Sequence, residues 1–110
     1  MAIISNLTID QGSTFSAIID VTDTEDNILV LTGYTVAAQI RKTYASSTAV
    51  NFTGSVSNAT LGEITISLTP TQTNALVAGR YVYDAEITSA GGTVTRVIEG
   101  QVEVTPGVTQ

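Results

Sequence analysis

Between residues 78 and 87 the chain reads Ala-Gly-Arg-Tyr-Val-Tyr-Asp-Ala-Glu-Ile, and its polarity alternates residue by residue. Tyr81, Tyr83, Ala85 and Ile87 share one parity, and Val82, Asp84 and Glu86 share the other. Successive side chains of a strand point to opposite faces, so this run predicts a strand with one face in a core and one toward water. The residues just before it, Pro70-Thr71-Gln72-Thr73-Asn74-Ala75-Leu76, predict a short helical turn or loop ending near Gly79.

The same period recurs along the chain. Leu7 and Ile9 alternate with Asn6, Thr8 and Asp10, then stop at Gln11-Gly12. Phe15, Ala17, Ile19 and Val21 alternate with Ser16, Ile18 and Asp20. Val36, Ala38 and Ile40 define a third strand, and Ile64, Ile66 and Leu68 the cleanest alternation of all. Residues 50–56 predict a weaker strand softened by Gly54, and residues 28–31 a short apolar segment closed by Thr32-Gly33. Gly91-Gly92 signals a hairpin. The last strand is expected from about Thr93 to Thr105, with Ile98, Val102 and Val104 inward and a bulge or close backbone approach at Gly100. Short strands separated by turn signals every 8–12 residues are the pattern of a β-sandwich. No amphipathic helix of ordinary length, internal repeat or domain boundary is visible, so residues 1–110 are expected to form a single domain.

Composition narrows the chemistry. Of 110 residues, 43% are apolar and 13% charged, as expected of a folded unit. Only Arg41, Lys42, Arg80 and Arg96 are cationic, and the net charge of −6 disfavours a nucleic-acid partner. With no cysteine and no histidine, the chain lacks thiolate chemistry and the commonest metal ligand and general base. No run approaches the roughly 18 apolar residues of a membrane span, and Met1-Ala2-Ile3-Ile4-Ser5-Asn6 does not read as a signal peptide. The expectation is a protein made in a cytoplasm, with no membrane partner.

Several clusters invite a site. Asp20, Asp23, Glu25, Asp26 and Asn27 carry oxygens suited to calcium, but their spacing departs from the twelve-residue binding loop, and a solvated turn explains them. Asp84 with Glu86, and Glu99 with Glu103, fall on outward strand positions, whereas acid–base catalysis needs carboxyls sharing a pocket. No catalytic residue, metal site or cofactor is therefore expected. Asn6-Leu7-Thr8, Asn51-Phe52-Thr53 and Asn58-Ala59-Thr60 match the glycan-acceptor pattern, which a threonine-rich chain produces by chance. Tyr44, in a loop beside Arg41 and Lys42, is the exposed aromatic that a sugar ring would stack on, with Arg41 beside it as a ligand residue. Ile18, Val82 and Val97 are apolar where their strand neighbours Asp20, Asp84 and Glu99 are polar. Lying together they would form a docking patch, unless a loop or strand covers them.

Two resemblances follow. A crossover, Gly79, then Tyr81 opening a strand, resembles the corner of an immunoglobulin-like sandwich, where a tyrosine hydroxyl bonds the chain upstream. The cysteine usual two residues later is Tyr83 here. Across nearly the whole chain, three stretches resemble the immunoglobulin-like N-terminal domain of the upper baseplate protein of tailed phages. They are Leu7-Thr8-Ile9-Asp10-Gln11-Gly12-Ser13-Thr14-Phe15; Leu31-Thr32-Gly33-Tyr34-Thr35-Val36-Ala37-Ala38-Gln39-Ile40-Arg41; and Ala78-Gly79-Arg80-Tyr81-Val82-Tyr83-Asp84 with Arg96-Val97-Ile98-Glu99-Gly100-Gln101-Val102-Glu103-Val104. The resemblance implies an all-β, immunoglobulin-like β-sandwich of about seven to nine antiparallel strands. It implies a non-enzymatic virion structural protein docked on the particle as a tail, baseplate or neck component, present in many copies among other virion proteins. A capsid decoration protein and a glycan-binding adhesion module are the alternatives.

Overall fold

A computed structural model describes residues 3–23, 25, 27–46 and 49–107. Nine strands and one helix follow in order: β1 (Ile3–Ile4), β2 (Leu7–Asp10), β3 (Phe15–Asp20), β4 (Thr35–Arg41), β5 (Val50–Asn51), β6 (Thr53–Asn58), β7 (Glu63–Leu68), α1 (Pro70–Ala75), β8 (Gly79–Thr88) and β9 (Val94–Thr105). They form two packed sheets. The larger runs β1-β9-β8-β4-β5 with β2 also on β9, and the smaller runs β3-β7-β6.

The period-2 runs become strands because each can bury one parity. On β8, Tyr83, Ala85 and Ile87 are buried; on β7, Ile64, Ile66 and Leu68 are. A buried isoleucine contributes about 1.5–3 kcal/mol from desolvation alone, so the alternating faces decide which side meets the other sheet. Between the sheets the Phe15 and Phe52 rings lie 6.0 Å apart. Tyr83 meets Phe52 edge-on at 6.3 Å, a favoured aromatic arrangement.

The expected weak strand at 50–56 is two strands in different sheets. Val50 and Asn51 pair with β4, and the Phe52 N–H still donates to the Ala38 carbonyl at 3.0 Å. The chain then crosses to pair with β7 from Thr53 onward. Gly54 permits the crossing, because a Cβ there would stand 2.8 Å from Val36 Cγ1. The helical turn at residues 70–76 is α1. Pro70 sits in its first turn, and Thr69 and Gln72 form a reciprocal capping box. Buried Thr73 anchors α1, its hydroxyl donating to the Ser13 carbonyl at 2.8 Å just before β3.

One expectation is corrected. The strands are not all antiparallel, since β1 and β2 run parallel to β9. The bulge in β9 lies at Val97 and not at Gly100: Arg96 pairs with Glu86 and Ile98 with Ala85, leaving Val97 without a partner on β8. Gly100 is the close backbone approach, the other expectation for it: a Cβ there would overlap the Ser5 carbonyl oxygen. In the short apolar segment 28–31, Ile28 makes an isolated bridge to Thr22, and Leu31 is buried.

Candidate functional site

Strand direction sets what gathers at each end of the sandwich. β3, β6 and β8 end where β4, β7 and β9 begin, and β1, parallel to β9, starts toward that same end. The loop of residues 21–34, the turn of residues 59–62 and the hairpin of residues 89–93 therefore share it. There the Leu31 N–H donates to the Ala59 carbonyl at 2.9 Å and the Val21 N–H to the Gly62 carbonyl at 2.7 Å, tying the first two segments together. The hairpin is closed by Ser89 N–H donating to the Thr93 carbonyl, also at 2.9 Å. Among the described residues nine large apolar side chains are exposed, and four of them, Ile28, Val30, Leu61 and Val94, lie in or next to the loops of this end. Sequence reasoning missed them. Their signal was apolar residues inside turn-rich segments, where no alternation assigns a face.

The sequence-derived patch does not form. Ile18 is 66% exposed on the outer face of the smaller sheet. Val82 is half-buried on the outer face of the larger one, facing the other way. Val97 is only 6% exposed, because the bulge turns it inward beside Ile98. A bulge inserts one residue into the alternation and so reverses the parity on one side of it.

Tyr44 and Arg41 do come together. With Gln39, Val82, Asp84, Glu86 and Arg96 they line a shallow depression of about 380 Å³ on the outer face of the larger sheet. Tyr44 is 76% exposed. Arg41 Nη1 donates to the Ser46 carbonyl at 2.7 Å and Nη2 to Gln39 Oε1 at 3.0 Å, while Gln39 Nε2 donates to Asn51 Oδ1 at 2.8 Å. Asp84 and Glu99 are cross-strand neighbours, and Arg96 bridges them at 3.3 and 3.6 Å. The lining is polar and tied to itself. Lys42 turns away from it, its Nζ 4.7 Å from the centroid of the Tyr81 ring.

The acidic loop is a turn, as its composition suggests. Asp23 Oδ1 accepts from the N–H groups of Glu25 and Asn27 at 2.8 and 3.0 Å; Asp26 and Thr24 lie outside the described residues. Among the described residues no group of three acidic side chains is placed to hold a metal ion. No described helix is long and apolar enough to cross a membrane.

The corner tyrosine closes its loop: the Tyr81 hydroxyl donates to the Val77 carbonyl at 2.7 Å. Tyr83, at the position usual for cysteine, is 3% exposed, and its hydroxyl donates to the Ser5 carbonyl at 2.6 Å. Burial pushes its pKa above the ordinary value of 10.0, and the bond to Ser5 pulls the other way less strongly. The sheet order, the crossing at Phe52 and the tyrosine corner define an immunoglobulin-like β-sandwich. Its first strands lie beside the last one and not beside β3.

No protein-family model matches the sequence, and no curated protein is similar to it. Among solved structures it is similar to an internalin-like protein of Listeria monocytogenes, at 18% identity and a TM-score of 0.45. The similarity covers 94% of this chain and 28% of that one.

Proposed function

We propose that this chain is a non-enzymatic structural module of a phage particle, docking as a tail, baseplate or neck component through the loop end of its sandwich. The observation that carries the reading is the exposure of Ile28, Val30, Leu61 and Val94 in or next to the loops of that end. A monomer that keeps apolar side chains in water over one region, while its strands bury theirs efficiently, carries the usual mark of a contact surface. The resemblance of its three stretches to the immunoglobulin-like domain of phage baseplate proteins supplies the setting. In a symmetric particle many copies engage together, so each contact can be weak.

Replacing Ile28 and Leu61 together by aspartate tests this. Both are exposed, so the isolated domain keeps its circular dichroism and its melting temperature, whereas incorporation into purified particles falls at least tenfold. The ratio of this protein to the major capsid protein separates the positions: a few to a few dozen copies fit a tail component, and hundreds fit capsid decoration. Absence from particles, or unaltered incorporation of the double variant, overturns the proposal.

A further inference from the structure

Four strand edges bound the two sheets, and three of them are guarded. β5 is two residues long. β6 is bent by an irregularity between Val56 and Asn58. The edge formed by β1 and β2 is interrupted at Ser5 and Asn6, where Asn6 Oδ1 takes the Gln101 N–H at 3.1 Å. Shortness, bulges and interruptions are the ordinary protections of an exposed edge. β3 has none of them. Its six residues keep unbroken register with β7, include no proline, glycine or lysine, and meet no strand on the other side among the described residues.

The side chains on that edge are unfinished as well. Phe15 and Ala17 face the interior yet stay half-buried, whereas Ile64 and Ile66 on the neighbouring strand are 0% exposed. On the outer face Ile18 is 66% exposed. Next along, Asp20 stands opposite Glu63, a like-charge cross-strand pair that destabilises its sheet. All four cationic residues lie on the larger sheet or beside it: Arg41 ends β4, Lys42 follows it, Arg80 is on β8 and Arg96 on β9.

We propose that β3 takes up one extended strand of a partner protein, laid antiparallel along its open edge, with an apolar side chain beside Ile18 and a cationic one beside Asp20. Main-chain hydrogen bonds supply the affinity and alternate side chains the selectivity, as in other strand additions. Directly opposed residues of an antiparallel pair share a face, so the register is set. The cation enters first, the apolar residue follows two positions later, and the inward residues one and three positions beyond it cover Ala17 and Phe15.

The probe is a synthetic hexapeptide, Lys-Val-Ile-Val-Thr-Val, blocked at both ends and N-methylated at the amides that would face away from β3, so that it cannot stack on itself. Titrated into the whole chain, it shifts the amide resonances of β3 and slows hydrogen exchange there at least tenfold. Moving the methyl groups to the amides that face β3 abolishes binding. Asp20→Lys weakens binding roughly tenfold, and a peptide with glutamate in place of lysine recovers it. That variant removes a like-charge contact, so its fold is retained, which circular dichroism verifies. No shift at about 1 mM peptide, shifts centred elsewhere, equal binding of the edge-blocked peptide, or no recovery on charge exchange each overturns the proposal.

Discussion

At the scale of single residues, Tyr83 does the work that a disulfide and a tryptophan share in antibody domains. It fills the interior against Phe52 and fastens the N-terminal segment through Ser5. Tyr83→Phe keeps the ring and strands the Ser5 carbonyl, which costs about 1 kcal/mol, read as a lower urea midpoint. The same hydroxyl responds to alkali. Its folded pKa lies above the ordinary 10.0, so the unfolded chain gives up this proton first. Its contribution is complete below about pH 10 and is lost as pH rises from there through the folded value. Tyr83→Phe therefore flattens part of the alkaline fall in stability, measured by urea titrations at about pH 8 and pH 11. Val97 shows where residue patterns mislead. Counting by twos from Glu99 places it outward, and only knowledge of its cross-strand partners reveals the extra residue that turns it inward.

At the scale of elements, β7, β8 and α1 were readable because their signals are local: strict alternation, and a proline opening a turn. β1 was not, since two isoleucines form a strand there only because β9 offers them an edge. The division of residues 50–58 between sheets was equally hidden, because Gly54 marked weakness without saying that the chain changes layer. Gly100 joins these strands. Ser5 N–H donates to the Glu99 carbonyl at 2.8 Å, and the Ser5 carbonyl occupies the space a Cβ at Gly100 would need. Gly100→Ala forces the backbones apart and costs about 1–3 kcal/mol. Hydrogen exchange should accelerate in β1 and β2 before it does in β7. Alanine at exposed Gln101 serves as the control and changes stability by no more than about 0.5 kcal/mol.

At the scale of the whole molecule, the two-layered sandwich and the buried faces of its regular strands followed from alternation, but the placement of the first strands beside the last did not. That pairing joins residues nearly a chain length apart, such as Ile9 with Val104, and no local pattern reports on it. It also sets a pace. A sandwich that must bring both ends of the chain together folds in milliseconds to seconds, and stopped-flow refolding should show that range and not microseconds. The parallel arrangement has a mechanical side. β2 runs in the same direction as β9, from Leu7 beside Val102 to Asp10 beside Thr105, so a pull between Leu7 and Thr105 drags the two strands past each other lengthwise. Their hydrogen bonds then bear the load in shear, all at once, and cannot be unzipped one by one.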